Sequence, residues 1–291
     1  MKVLLTGAGG QVGRCIQDVF SCTNHELLPL DRGQLDITDK ERVLDVVREF
    51  SPDVIINAAA YTSVDRAEKE RELARAVNAL GAENIAIAAM QVDALLIHFS
   101  TDYVFDGNKT TPYIEEDATN PQSVYGETKL EGERAIRRVW GKHFILRTSW
   151  VFSEYGNNFF KTMLRLARED NEIRVVDDQY GCPAYAGDIA TACLKICETD
   201  AEKKYGLYHY AGNEVVSWCE FARAILSVAG QRGKIASMPK VAALSTIDYP
   251  TAAKRPSYSV VSSAKFVQEF SLPPSNWVEG IERTFFYGEM R

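Results

Sequence analysis

At 291 residues, 46% hydrophobic and 25% charged, the chain has ordinary globular composition and enough length for one large α/β domain with a smaller one appended. Disordered, collagenous and coiled-coil architectures are excluded. The 33 basic and 40 acidic residues leave a formal charge of −7, which offers no broad footprint for nucleic acid or an anionic membrane. Any anionic ligand must be held locally.

Short apolar runs alternate with helical patterns from the start: Val3–Thr6 and a helix from Gln11, Leu27–Leu30 and Lys40–Phe50, Val54–Asn57 and Leu73–Met90, then Ala94–Ser100. The crossovers are long enough for helices, so the pattern predicts a doubly wound, Rossmann-type parallel sheet covered on both faces. Strands at Phe144–Thr148 and Ile173–Val176 are expected to extend it. After Trp150 the rhythm loosens into Gly-, Asn-, Pro- and aromatic-rich stretches at Tyr155–Phe160, Gln179–Tyr185 and Tyr249–Tyr258. These are expected to be loops of a smaller, substrate-binding domain. Residues 1–150 then form the dinucleotide-binding domain and 151–291 mainly the substrate-binding one, with helices at Asp188–Cys197 and Trp218–Ala229 either supporting it or returning to the first.

Six cysteines (Cys15, Cys22, Cys182, Cys193, Cys197 and Cys219) are scattered without a CxxC pair, which fits a reducing cytosol. Cys193 and Cys197 lie four apart on a predicted helix, but no further ligand lies near them in sequence and no metal site is assigned. No leader-like apolar region precedes the first strand and no apolar run of about eighteen residues occurs, so a cytoplasmic protein that does not span a membrane is expected.

The first motif is Gly7-Ala8-Gly9-Gly10-Gln11-Val12-Gly13, directly after the first strand and opening a helix. Glycines at 7, 10 and 13 permit a tight turn and close backbone approach, while the helix N-terminus offers free N–H groups to a pyrophosphate. The second strand ends at Asp31, eighteen residues beyond Gly13, where a carboxylate can bind adenosine ribose hydroxyls. Asp31 disfavours a 2′-phosphate by charge and Arg32 favours one, leaving NADH and NADPH both open. Asp36 and Ile37 either line the adenine pocket or merely precede a helix begun at Thr38-Asp39.

Of the thirteen tyrosines only Tyr125, in Tyr125-Gly126-Glu127-Thr128-Lys129, has a lysine at i+4. The two share a helix face, and a cation beside a phenol is expected to lower the phenol's pKa towards neutrality and fit it for acid–base work. A third element, Ser100-Thr101-Asp102-Tyr103-Val104-Phe105, stands at the carboxyl end of an apolar strand, where open α/β sheets bind ligands and a hydroxyl can polarise a carbonyl.

Together these residues resemble the extended short-chain dehydrogenase/reductase superfamily along nearly the whole chain. More closely, the blocks Asn57–Glu68, Ser100–Phe105, Val124–Lys129, Arg147–Phe152, Asn157–Phe159 and Asp178–Pro183 resemble the dTDP-4-dehydrorhamnose reductase family. The resemblance implies that Thr101, Tyr125 and Lys129 are catalytic. It places Ala58, Ala59, Thr62 and Val64 along cofactor and sugar, sets Asp102, Tyr103, Trp150 and Asn157 against the sugar nucleotide, and makes Arg255 a partner for the diphosphate. It implies reduction of a dTDP-linked 4-keto sugar, and it raises a magnesium requirement for which the sequence holds no carboxylate cluster. A homodimer, the commonest closed assembly, is the expected oligomer if one forms. Two other enzymes and a binding protein share the fold. A dehydratase is disfavoured because Tyr103 stands where a glutamate would assist elimination. An epimerase would use the same Tyr/Lys pair with retained NAD. A regulatory subunit like that of methionine adenosyltransferase would not need Thr101, Tyr125 and Lys129.

Overall fold

Strands buried on both faces need helices on both sides, and that is the layering seen in the structure, a computed structural model that describes residues 1–199 and 204–289. The first half runs β1 (Lys2–Thr6), α1 (Gln11–Ser21), β2 (Glu26–Leu30), α2 (Lys40–Phe50), β3 (Val54–Asn57), α3 (Val64–Ala67), α4 (Arg71–Arg75), α5 (Ala82–Gln91), β4 (Leu95–Thr101), α6 (Val124–Val139) and β5 (His143–Thr148). The second half continues with β6 (Val151–Phe152), α7 (Phe159–Glu169), β7 (Glu172–Val176), β8 (Tyr180–Gly181), β9 (Ala184–Tyr185), α8 (Ala186–Glu198), β10 (Gly206–His209), β11 (Val216–Ser217), α9 (Trp218–Gln231), β12 (Lys240–Leu244), α10 (Ala264–Phe270) and α11 (Trp277–Glu289).

The main sheet has the order β10-β5-β4-β3-β1-β2 and every pairing in it is parallel. Strand order reverses at β1/β3, which opens a crevice beyond the carboxyl ends of those strands. Helix starts follow local chemistry: Asp39 caps α2 through the Arg42 amide, Ser123 caps α6 through the Gly126 amide, and Ser217 with Glu220 forms a capping box on α9.

Two expectations are corrected. The run Ile173–Val176 does not extend the main sheet; it lies in β7, which pairs with β12 in a separate two-stranded sheet. The reason is its alternation, with Glu172 and Arg174 exposed and Ile173 and Val175 buried, whereas a strand sandwiched by helices has no solvent face for such charges. The sixth strand of the main sheet is instead β10, contributed from the second half of the chain. The helix expected over Leu73–Met90 is interrupted by a π-helical turn at Ala76–Gly81. This turn aims Asn78 inward, where its amide takes the Tyr61 N–H at 2.8 Å and donates to Thr128 Oγ1 at 3.1 Å.

One apolar core crosses the halves: Cys15, Ile16 and Phe20 of α1 pack with Ile189, Cys193 and Cys197 of α8 and Phe266 of α10. A second core is drawn from residues beyond Trp150, among them Phe160, Ile173, Phe221 and Ile281. Among the described residues, no helix is long and apolar enough to cross a membrane, and no group of three or more His, Cys, Asp or Glu side chains converges as a metal site would require.

Candidate active site

A cleft of about 970 Å³ opens at the carboxyl ends of the strands, between the glycine turn and the second core. Gly7 has φ +69°, and a side chain there would collide with the Ala58 backbone; one at Gly13 would collide with the Gly7 carbonyl. α1 therefore starts hard against the turn, and Gly10 at its N-cap brings no side chain to cover the free amides. Backbone can approach a pyrophosphate here, so the residues present fit a dinucleotide. Gln11 and Val12 face the cleft, and Gln11 Oε1 accepts from Asn158 Nδ2 at 2.8 Å and Ser153 Oγ at 3.2 Å, tying the turn to the second half.

Asp31 sits at the end of β2, its Oδ1 accepting from the Gly33 amide at 2.8 Å and the Gln34 amide at 3.1 Å. It borders a second hollow of about 460 Å³ together with Gly9, Arg14, Gln34 and Tyr155. The cation facing this hollow is Arg14, which sequence reasoning missed; its guanidinium lies 5.5 Å from the Tyr155 ring centre. Arg32 borders neither hollow and leans towards Asp36 at 3.7 Å. Nor do Asp36 and Ile37 border them. Asp36 accepts from the Thr38 amide and hydroxyl, which hold its carboxyl below the usual range, and Ile37 is buried in the core.

Thr101, Tyr125 and Lys129 all line the main cleft. Thr101 ends β4; its Oγ1 donates to Asp102 Oδ1 at 3.0 Å and accepts from the Tyr103 amide at 3.2 Å. Asp102 is buried with Oδ2 unpartnered, and burial pushes its carboxyl up to about 6. Tyr125, in the first turn of α6, meets the Tyr103 ring edge-on at 5.8 Å. Lys129 donates to the Phe99 carbonyl at 2.6 Å, and burial brings its ammonium down to about 8. The expected lowering of the phenol is corrected: burial outweighs every other influence and pushes Tyr125 up to about 12, against the pull of the Thr101 hydroxyl. At neutral pH it is a phenol with a proton to give.

The far wall comes from the second half. Trp150 is held with φ +46°, and its indole stacks on Trp218 with ring centres 3.5 Å apart; a side chain at Gly181 would strike it. Asn157, Thr62, Val64 and Tyr103 border the same cleft, as does Ala58, while the Ala59 amide is bound to Asn57 Oδ1 at 3.2 Å. Arg255 also reaches it, already gripped by the Asp65 carboxylate at 2.7 and 3.2 Å, which holds Asp65 below its usual range. Sequence reasoning missed Trp218, Arg174 and Gln179. Arg174 left a signal as a cation on the polar face of an alternating strand, and Gln179 lay in the Asp178–Pro183 block without being singled out; Trp218 left none.

Fold and site define the class: an NAD(P)-dependent oxidoreductase of the extended short-chain dehydrogenase/reductase type. The chain belongs to the dTDP-4-dehydrorhamnose reductase family, and the RmlD substrate binding domain matches residues 1–287. It is 46% identical to the dTDP-4-dehydrorhamnose reductase of Aggregatibacter actinomycetemcomitans, over 99% of each chain. It is 42% identical to that of Escherichia coli strain K12, over 97% of this chain and 96% of that one. Among solved structures it is similar to a dTDP-4-dehydrorhamnose reductase from Clostridium acetobutylicum, with TM-score 0.93 and 40% identity over the whole of both chains. Another such reductase, from Bacillus anthracis in complex with NADP, superposes with TM-score 0.92 at 40% identity, over 98% of this chain and 99% of that one.

Proposed function

We propose that the protein reduces the C4 ketone of dTDP-4-dehydro-L-rhamnose to dTDP-L-rhamnose, with NADPH or NADH as reductant, in the cytoplasm. The observation that carries this reading is the convergence of Thr101, Tyr125 and Lys129 in one cleft that runs from the glycine turn to the Trp150 wall. When bound, the reduced nicotinamide supplies the hydride to C4. Tyr125, protonated at neutral pH, passes its phenolic proton to the ketone oxygen as negative charge develops there. Thr101 holds the same oxygen by turning its hydroxyl proton from Asp102 Oδ1 to it. Lys129 binds the nicotinamide ribose and stabilises the phenolate left on Tyr125.

Gly7, Gly10, Gln11, Val12 and Gly13 seat the pyrophosphate, Asp31 takes the adenosine ribose, and Ala58, Ala59 and Thr62 lie along the cofactor. Residues beyond Trp150 form the substrate side: Trp150 and Asn157, with Val64, Asp102 and Tyr103 from the first half, pack the sugar nucleotide. Arg255, presented by Asp65, meets the diphosphate as a bidentate donor. The test is to offer the purified protein a panel of 4-keto sugar nucleotides with NADH and NADPH and follow nicotinamide absorbance. One cofactor oxidised per dTDP-linked ketone consumed is the expected result. Interconversion of sugar epimers without net cofactor oxidation would overturn it.

A further inference from the structure

Four polar side chains form a buried row across the carboxyl edge of the sheet and into α6: Thr6, Asn57, His98 and Lys129, each no more than 2% exposed. Strand register sets the first three side by side, Thr6 opposite Asn57 and Asn57 opposite His98. Such a row is satisfied only if every donor meets an acceptor.

A backbone amide decides the direction of the row. Asn57 Oδ1 accepts from the Ala59 N–H at 3.2 Å and the Thr6 hydroxyl at 2.7 Å, so the amide nitrogen Nδ2 is the atom facing His98 Nδ1 at 3.1 Å. An amide NH₂ only donates, so Nδ1 must accept and the neutral ring carries its proton on Nε2. Nε2 stands 3.4 Å from Lys129 Nζ. An ammonium there sets N–H against N–H, whereas a neutral amine turns its lone pair to Nε2–H and still donates to the Phe99 carbonyl at 2.6 Å.

The other ionisable groups around the pair do not reverse this. Glu133, one turn further along α6, favours the ammonium, but its carboxylate is engaged by the Arg147 guanidinium at 2.7 and 2.8 Å and by the Ser100 hydroxyl. His143 on β5 opposes a charge on His98, and burial holds that imidazole well below its usual value. Tyr125, one turn back, remains a neutral phenol at the working pH.

We propose that His98, locked by Asn57 and Thr6 into the tautomer protonated at Nε2, is a positioning residue that controls the protonation of Lys129. The site thereby relaxes its hold on the cofactor as pH rises. The consequence for cofactor binding rests on the ribose role proposed for Lys129; the control of protonation does not.

The test is a pH titration by NMR of the full chain carrying ¹³C at the lysine ε-carbons, with the Lys129 signal identified by its loss in Lys129→Met. The native midpoint is expected near 8. Asn57→Asp lets a carboxylate take Nδ1–H and turns Nε2 into an acceptor, raising the midpoint by about one pH unit, a tenfold change in protonation constant. Asn57→Ala frees the ring to change tautomer and moves the midpoint the same way without burying a new charge. His98→Gln can present its amide oxygen to Asn57 and its NH₂ to Lys129, so it keeps the native midpoint. An unchanged midpoint in Asn57→Ala, whatever Asn57→Asp does through its new charge, or a shift in His98→Gln as large as in Asn57→Ala, overturns the proposal. NADPH affinity is measured alongside by cofactor fluorescence. If titration moves while affinity does not follow, control of Lys129 stands and its ribose role falls.

Discussion

The glycine turn after β1 and the aromatic wall around Trp150 border the same cleft, yet they are specified at different ranges of sequence. The turn's residues are local: Gly7 and Gly13 lie within one strand–helix junction and Gly13 is constrained by the Gly7 carbonyl, with one long-range contact, the β3 end at Ala58, bearing on Gly7. The wall is assembled from afar, with Trp150 from the β5–β6 connection, Gly181 from β8 and Trp218 from α9. A local motif can specify binding of a constant ligand such as a dinucleotide. A wall of residues remote in sequence can be altered piece by piece without touching that motif, and it is this wall that the proposed function sets against the sugar nucleotide.

The largest expected effect tests whether the hydride machinery is separable from both ligand walls. Tyr125→Phe keeps the ring and its contact with Tyr103 but removes the proton, and turnover should fall by roughly 10²–10⁴-fold with cofactor affinity unchanged in a fluorescence titration. A loss below about tenfold would remove Tyr125 as the donor.

Asp102→Asn asks whether this edge of the cleft stores instability for function. Because burial raises Asp102 from 3.8 to about 6, the folded state binds more protons than the unfolded chain between those values, and stability falls as pH rises through that window. The cost is complete above it, on the order of 3 kcal/mol. Thermal unfolding should therefore show Asp102→Asn more stable than the native protein at pH 8, with the gain gone near pH 4; an equal gain at both pH values would exclude the ionisation as its source.

Arg255→Ala sharpens the comparison from the substrate side. A charge-assisted contact to the diphosphate is worth roughly 1.5–3 kcal/mol, so kcat/KM for the sugar nucleotide should drop about ten- to a hundredfold. Cofactor affinity without substrate should hold; an equal loss in both would erase the division between the walls at this residue. The smallest effect belongs to the cofactor wall. Asp31→Ala should shift the ratio of kcat/KM values a few-fold towards NADPH. Arg14→Ala should move it back further than Arg32→Ala, since Arg14 borders the hollow with Asp31 and Arg32 does not.

The sequence by itself determined the parallel sheet, the glycine turn and the sharing of one helix face by Tyr125 and Lys129, because each is written in neighbouring residues: apolar runs at strand length, glycines at fixed offsets, and a Tyr and Lys one helical turn apart; what joined Thr101 to that pair was the resemblance to the family. Only tertiary structure decided that β10 rather than Ile173–Val176 completes the main sheet, since pairing partners are chosen by which faces are covered. It alone determined which cation borders the hollow beside Asp31, and it overrode the simple expectation for the phenol. A lysine at i+4 signals proximity, but the desolvation that pushes Tyr125 up to about 12 is the summed effect of everything packed around the ring, and that sum exists only once the chain is folded.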